Sequence, residues 1–174
     1  TQQGTKPEHT NPRAPLALAG ASSGLARSCM AWVRAWLAGL GLAAWAGLTR
    51  IGQPKAGETL VVAGASGPVG ATVGQIGRIL GLRVVGIAGG PEKCAHVVDA
   101  LGFDDCIDYK SEGFAQALEK AVPGGIDIYF ENVGGAVFDA VMPLLNPSAR
   151  IPVCGLISQY NATSLPDGPD RLNL

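Results

Sequence analysis

The stretch Thr59–Leu80, TLVVAGASGPVGATVGQIGRIL, decides the fold. Its opening residues, Thr59 to Ala63, are β-branched or apolar and short enough to form a single buried strand. Gly64, Gly67 and Gly70 follow, and a helical pattern begins with no room for an ordinary loop. Strand, tight glycine turn and helix in that order bring backbone N–H groups up to a pyrophosphate. Gly67 lets the backbone approach the phosphates, and Gly70 lets the helix pack closely on the strand. Pro68 suits the first helical turn, where its missing N–H costs nothing. Ser66 is placed to cap the helix or to donate its hydroxyl to a phosphate. The dinucleotide fingerprint G-x-G-x-x-G is incomplete, because Ala65 stands where its first glycine would be. Context favours nucleotide binding: a second strand, Arg83 to Ala88, follows one helix later. A plain βαβ unit whose glycines only tighten packing is the alternative.

Working outward, Val69, Val73, Ile76 and Leu80 mark one apolar face of the helix Gly67 to Leu80, with Gly70, Gly74 and Gly77 as a thin stripe beside it that would let the helix lie close to the sheet. Beyond the second strand, Pro91 to Leu101 reads as a helix and Cys106 to Tyr109 as a short strand. Phe114 to Ala121 is a helix stopped by Pro123 and Gly124–Gly125, and Ile126 to Glu131 is a strand. Val137 to Leu145 reads as a helix ended by Asn146–Pro147, and Arg150 to Cys154 as a fifth strand. This alternation predicts an α/β fold, a doubly wound (Rossmann) parallel sheet covered on both faces. Such sheets usually have about six strands. The expectation is therefore a sheet lacking its last strand, with the fifth as an open edge.

Bulk composition narrows the function classes. With 174 residues, 47% hydrophobic and 16% charged, the chain fits one buried domain and not a disordered one. A net charge of −1 without a basic run argues against nucleic acid as a partner. The cysteines (Cys29, Cys94, Cys106, Cys154) have neither metal-ligand spacing nor disulfide-scaffold density, which points to a reduced, cytoplasmic setting. Only His9 and His96 are present, so a His-centred triad or a zinc site is not expected. The first 25 or so residues, rich in Pro, Gly, Ser and Thr, read as a leader. Met30 to Leu48 is apolar and holds Trp32, Trp36 and Trp45. Arg34 and the many Ala and Gly residues make it a poor membrane span, so a helix packed on the domain is preferred and no membrane is implied. The division is thus 1–46, leader and apolar helix, and 47–174, a nucleotide-binding Rossmann domain incomplete at its C-terminal end.

In doubly wound sheets ligands bind beyond the carboxyl ends of the strands. After the second strand come Gly89–Gly90–Pro91–Glu92–Lys93. An NAD site would want an acid at the strand end for the ribose 2′-hydroxyl; glycines stand there instead, with Lys93 behind them as a cation for a 2′-phosphate. That pair of features favours NADP(H). After the fourth strand, Asn132 either bonds ribose or nicotinamide or caps the next helix. After the fifth, Tyr160 is the side chain best suited to donate a proton or hydrogen bond near an electrophilic substrate.

From about Gly47 onward the stretches IGQPKAGETLVV, ASGPVGATVGQIG, RVVGIAGGPEKC, LGFDDCIDY, GIDIYFENVGG and ARIPVCGLISQYN resemble the NADP-dependent double-bond reductases of the medium-chain dehydrogenase/reductase superfamily. That branch includes the prostaglandin and leukotriene reductases and the bacterial curcumin reductase. The resemblance implies zinc-independent reduction of an α,β-unsaturated ketone or aldehyde, a small-molecule enone, by NADPH. Carried over by position, Ser66, Gly67, Pro68, Val69 and Gly70 would bind the pyrophosphate, and Gly90, Lys93 and Tyr109 the 2′-phosphate. Asn132, Cys154, Gly155 and Ile157 would line the ribose–nicotinamide end, and Tyr160 would face the substrate as the catalytic residue. Family enzymes often pair through the edge strand, which makes a homodimer an option. They also carry a β-rich catalytic domain ahead of the nucleotide domain, and residues 1–46 are too short for it. A silent NADP(H)-binding or subunit-pairing module is the alternative function.

Overall fold

The computed structural model describes residues 38–161 and 163. Every described residue lies in one compact unit, within Trp36–Leu174. The expected leader, Trp32 and Trp36 fall outside the described residues.

A helix, α1, occupies residues 38–46 and widens into a π-helical segment, Gly47–Gly52. Gln53 ends it in the left-handed region at φ 43°. Five strands follow in alternation with helices: β1 (Thr59–Ala63), α2 (Pro68–Ile79), β2 (Arg83–Ala88), α3 (Pro91–Asp99) and β3 (Asp105–Asp108). Then come α4 (Phe114–Ala121), β4 (Ile126–Phe130), α5 (Gly135–Val141) and β5 (Leu145–Arg150). All pairings are parallel, in the order β3-β2-β1-β4-β5. The sequence therefore doubles back between β1 and β4, as a doubly wound sheet requires. Among the described residues, no helix is long and apolar enough to cross a membrane.

Because both faces are covered, the central strands are apolar without interruption. Leu60, Val62, Val84, Ile128 and Phe130 pack under α1, α2 and α3, with Ala44, Leu48, Val73 and Val97 fully buried among them. Val61, Ala63, Val85 and Tyr129 point the other way, beneath Leu118 and Ala121 of α4 and Val137 and Val141 of α5. The described part of the apolar stretch, from residue 38 onward, packs on the sheet: a Cβ at Gly47 would come within 2.8 Å of the Phe130 ring. Its outer side carries Leu42 and Trp45, and the Arg50 guanidinium lies 5.6 Å from the Trp45 ring centre.

Two expectations change in part. The buried side of α2 is Gly70, Val73, Gly74 and Gly77, with Val69 and Ile76 packed against the same core, while Leu80 is 39% exposed. The glycine stripe is the contact face, since a Cβ at Gly74 would overlap the Phe103 ring. The last helix and strand also shift. Pro143 lacks an N–H, so α5 ends at Val141 in a 3-10 turn, Met142–Leu144, and β5 starts at Leu145. Leu145 pairs with Ile126 and Arg150 with Ile128, so the ladder slips between them. Pro147, and Ser148 at φ 65°, sit in that irregularity, which is where a strand tolerates them. The expected strand Arg150–Cys154 survives as a second contact. Glu131 N–H donates to the Pro152 carbonyl and Cys154 N–H to the Glu131 carbonyl, both at 2.9 Å.

At the amino ends of the strands, Arg150 donates to the carbonyls of Gly52 (2.8 Å), Gln53 (3.2 Å) and Asp127 (3.2 Å), and pairs with Glu58 at 2.5 Å. The hydrogen bond from Arg150 is the main reason the Glu58 carboxyl sits below its ordinary 4.5. A depressed acid stabilises the fold above its unfolded pKa, and that contribution is lost as pH falls through the folded value. Arg150→Met should cost about 1–3 kcal/mol at neutral pH. It should also flatten the fall of stability below about pH 5. Urea unfolding at pH 7 and pH 4 measures both; an unchanged pH dependence would remove the Glu58 pair from the account.

Candidate nucleotide site

At the carboxyl end of β1, Gly64 turns the chain at φ 64°, a conformation that favours glycine. The turn closes with Gly67 N–H on the Gly64 carbonyl at 2.9 Å, while Ala65 N–H reaches the Ile87 carbonyl at 3.0 Å. The missing fingerprint glycine has a local explanation. Ala65 is fully buried, and its methyl fits because Gly86 lies opposite on β2; a Cβ there would come within 2.9 Å of the Ala65 Cβ. Gly70 is the close-packing glycine, since a Cβ on it would run into the Gly64 carbonyl oxygen.

Ser66 does not cap α2. Gly67 is the N-cap, and no side chain accepts from the amides of the first turn. The first helical bond at this end runs from Ala71 N–H to the Gly67 carbonyl at 2.8 Å. Pro68 has no N–H, so the amides of Val69 and Gly70 lack an intrahelical acceptor. Both residues line a cleft of about 620 Å³ with Ser66, Gly67 and Pro68. α3 likewise starts on a glycine, Gly90, at φ 100° and without a side-chain cap.

Along the cleft from this turn, β2 contributes Gly89, α3 Lys93, and the end of β3 Tyr109 and Lys110. Gly89 is the flat surface on which the last two lie: a Cβ there would meet the Tyr109 ring at 2.8 Å and the Lys110 Cε at 3.1 Å. Asp108 fixes this corner by accepting Gly90 N–H at 2.8 Å and Lys110 N–H at 2.9 Å. Those bonds, the one from Gly90 foremost, hold its carboxyl below the usual carboxylate range. Gly90 is the one expected site residue off the cleft wall, its N–H being committed to Asp108. Among the described residues, Lys93 and Lys110 are the cations on the wall, and no carboxylate lines it.

Toward the other end lie Asn132, Cys154, Gly155, Ile157 and Tyr160. The Asn132 amide donates to the Ala63 carbonyl at 2.8 Å, and α5 starts at Gly134 without a side-chain cap, so Asn132 braces the strand ends and does not cap. Desolvation pushes the Cys154 thiol up from its ordinary value. Tyr160 is 68% exposed, and a Cβ at Gly155 would come within 2.7 Å of its hydroxyl. Sequence reading missed Lys110, Gly89 and Val133 on the wall, and Leu40, which reaches it from α1. Lys110 had a signal, since it directly follows Tyr109 at a strand end.

A family model described as zinc-binding dehydrogenase matches residues 68–169. The chain belongs to this family. It is 69% identical over 134 residues to the "NADPH-dependent curcumin reductase" of Escherichia coli K12, covering 77% of this chain and 39% of that protein. It is 49% identical over 122 residues to the "2-alkenal reductase (NADP(+)-dependent)" of Nicotiana tabacum, covering 70% and 36%. The crystal structure of CurA from Vibrio vulnificus in complex with NADPH superposes with a TM-score of 0.73 at 68% identity, covering 76% of this chain and 39% of that one. The chain thus spans well under half the length of these relatives. Despite the family's description, no group of three or more His, Cys, Asp or Glu among the described residues is placed to hold a metal ion. The described residues do not fit a resident zinc.

Proposed function

We propose that this chain carries the cofactor domain of an NADPH-dependent oxidoreductase that reduces the carbon–carbon double bond of α,β-unsaturated ketones or aldehydes. The observation that carries the reading is the cleft wall itself. It holds a glycine turn with free amides, two lysines near the end of β2 and, among the described residues, no carboxylate. When bound, the cofactor would supply hydride to the β-carbon of the substrate, while the α-carbon takes a proton from water. Val69 and Gly70 amides hold its pyrophosphate, and Lys93, on the wall with Tyr109 and Lys110, holds the 2′-phosphate. Asn132, Cys154, Gly155 and Ile157 border the ribose and nicotinamide. Tyr160 donates a hydrogen bond to the carbonyl oxygen as negative charge develops there, an interaction worth more in the transition state than in the ground state. A cytoplasmic setting and pairing of two copies along the β5 edge go with this reading.

Titration with NADPH and NADH, followed by fluorescence, tests it. NADPH should bind tighter. Lys93→Ala and Lys110→Ala should each cost NADPH about 1–3 kcal/mol, as lost charge-assisted hydrogen bonds do, and NADH little. Equal losses for both cofactors would mean that the lysines act through folding and would withdraw the 2′-phosphate assignment.

A further inference from the structure

The only fully buried charged side chain among the described residues, Glu131, lies beside the cleft but not on its wall. Its Oε2 accepts the Tyr129 hydroxyl at 2.7 Å. Its Oε1 accepts the Val133 N–H, and the Gly134 N–H at 2.9 Å. Every partner is a donor, which suits a carboxylate and no neutral side chain as well. The loop it grips is one that needs gripping, because Gly134 and Gly135 take φ 77° and 59° in succession.

The grip reaches further through the backbone. The Glu131 carbonyl accepts Cys154 N–H at 2.9 Å and Gly155 N–H at 3.3 Å. The Asn132 carbonyl accepts Ile157 N–H at 3.2 Å, and the Val133 carbonyl accepts Ser158 N–H at 3.0 Å and its hydroxyl at 2.5 Å. The 153–160 segment therefore hangs on the 131–133 loop, and that loop is set by one carboxylate. The Tyr129 ring that completes the cluster is itself fixed against Phe138 of α5, centroids 6.0 Å apart.

We infer that Glu131 is a positioning residue for the nicotinamide end of the cleft, shaping it through Val133 and Gly134 without touching the ligand. The inference rests on the cofactor reading above. It separates the two ends of the site: Glu131 bonds Tyr129, Val133 and Gly134, whereas the corner built by Gly89, Lys93, Tyr109 and Lys110 is held by Asp108.

The test compares NADPH with adenosine 2′,5′-bisphosphate, which carries the 2′-phosphate end alone. In the full 174-residue chain, Glu131→Met should weaken NADPH by about tenfold or more, the effect of losing bonds to a charged group. The bisphosphate should change less than about twofold, because its contacts are intact. Glu131→Gln, which keeps an acceptor for the two amides, should recover most of the loss. Equal weakening of both ligands, or unchanged NADPH binding, would overturn the positioning role. Should Glu131→Met not fold, Tyr129→Phe removes one donor and should weaken NADPH alone; identical NADPH binding in that variant overturns the proposal equally. If the unaltered chain binds neither ligand, the cofactor reading itself fails, a distinct outcome.

Discussion

Replacing Gly67 by aspartate should abolish nucleotide binding while the fold survives. Gly67 has φ −81° and ψ 164°, extended backbone open to any residue, and an added Cβ would lie 3.2 Å from the Gly64 carbonyl, a contact that a few tenths of an ångström relieves. Aspartate is moreover a favoured N-cap. Its carboxylate would take the free amides of the first turn of α2, the donors assigned to the pyrophosphate, and would repel the phosphates as well. Loss of two or more charge-assisted bonds corresponds to about 3 kcal/mol or more, about 150-fold in affinity. Thermal unfolding without ligand should show a melting temperature equal to or above that of the parent chain. NADPH affinity retained within about tenfold would dismiss the phosphate-turn assignment, whereas a large drop in melting temperature would show that the loss of binding came from misfolding.

Gly74→Ala should be the most damaging single-methyl change to stability. The added carbon would overlap the ring of Phe103, which is 4% exposed and pinned between α2 and the sheet. Neither side yields easily: α2 also has close neighbours at Gly70 and Gly77, the Gly64 carbonyl and Leu60. Overpacking of this kind costs about 1–3 kcal/mol or more. A double-mutant cycle isolates the cause. In a Phe103→Leu background, Gly74→Ala should cost at least about 1 kcal/mol less than alone. Additive losses in urea unfolding would trace the damage to helix propensity or strain elsewhere and clear the Phe103 contact.

These glycines also show where sequence reading stops. β1 to β4 were placed to within a residue or so because buried parallel strands between turn signals are a local pattern. The phosphate turn was legible for the same reason, since its chemistry is written in consecutive glycines. The contact face of α2 was legible in part: Val73 and the glycine stripe face inward with Val69 and Ile76 alongside, and only Leu80, past the end of the helix, turns out. What no pattern announces is Phe103, arriving from beyond α3 to fill the space those glycines leave. β5 was misplaced because Asn146–Pro147 reads as a stop, and only pairing to β4 reveals a slipped ladder. Glu131 looked like an ordinary strand-end acid; its burial depends on backbone donors that no residue type announces. Lys110 was passed over because Tyr109 drew the assignment at that strand end.

The bare starts of α2 and α3, each on a glycine without a side-chain acceptor, tie the lifetime of the folded chain to its surroundings. Where a serine or aspartate would have satisfied the first amides permanently, an anion must arrive to do so. The folded population is then coupled by mass action to the free ligand, and stability grows with the logarithm of its concentration. A hundredfold excess over the dissociation constant adds about 2.7 kcal/mol, a large share of the whole for a domain of this size. By that coupling a cell rich in reduced dinucleotide would hold more of this chain intact against its proteases than a depleted one, with no change in its synthesis.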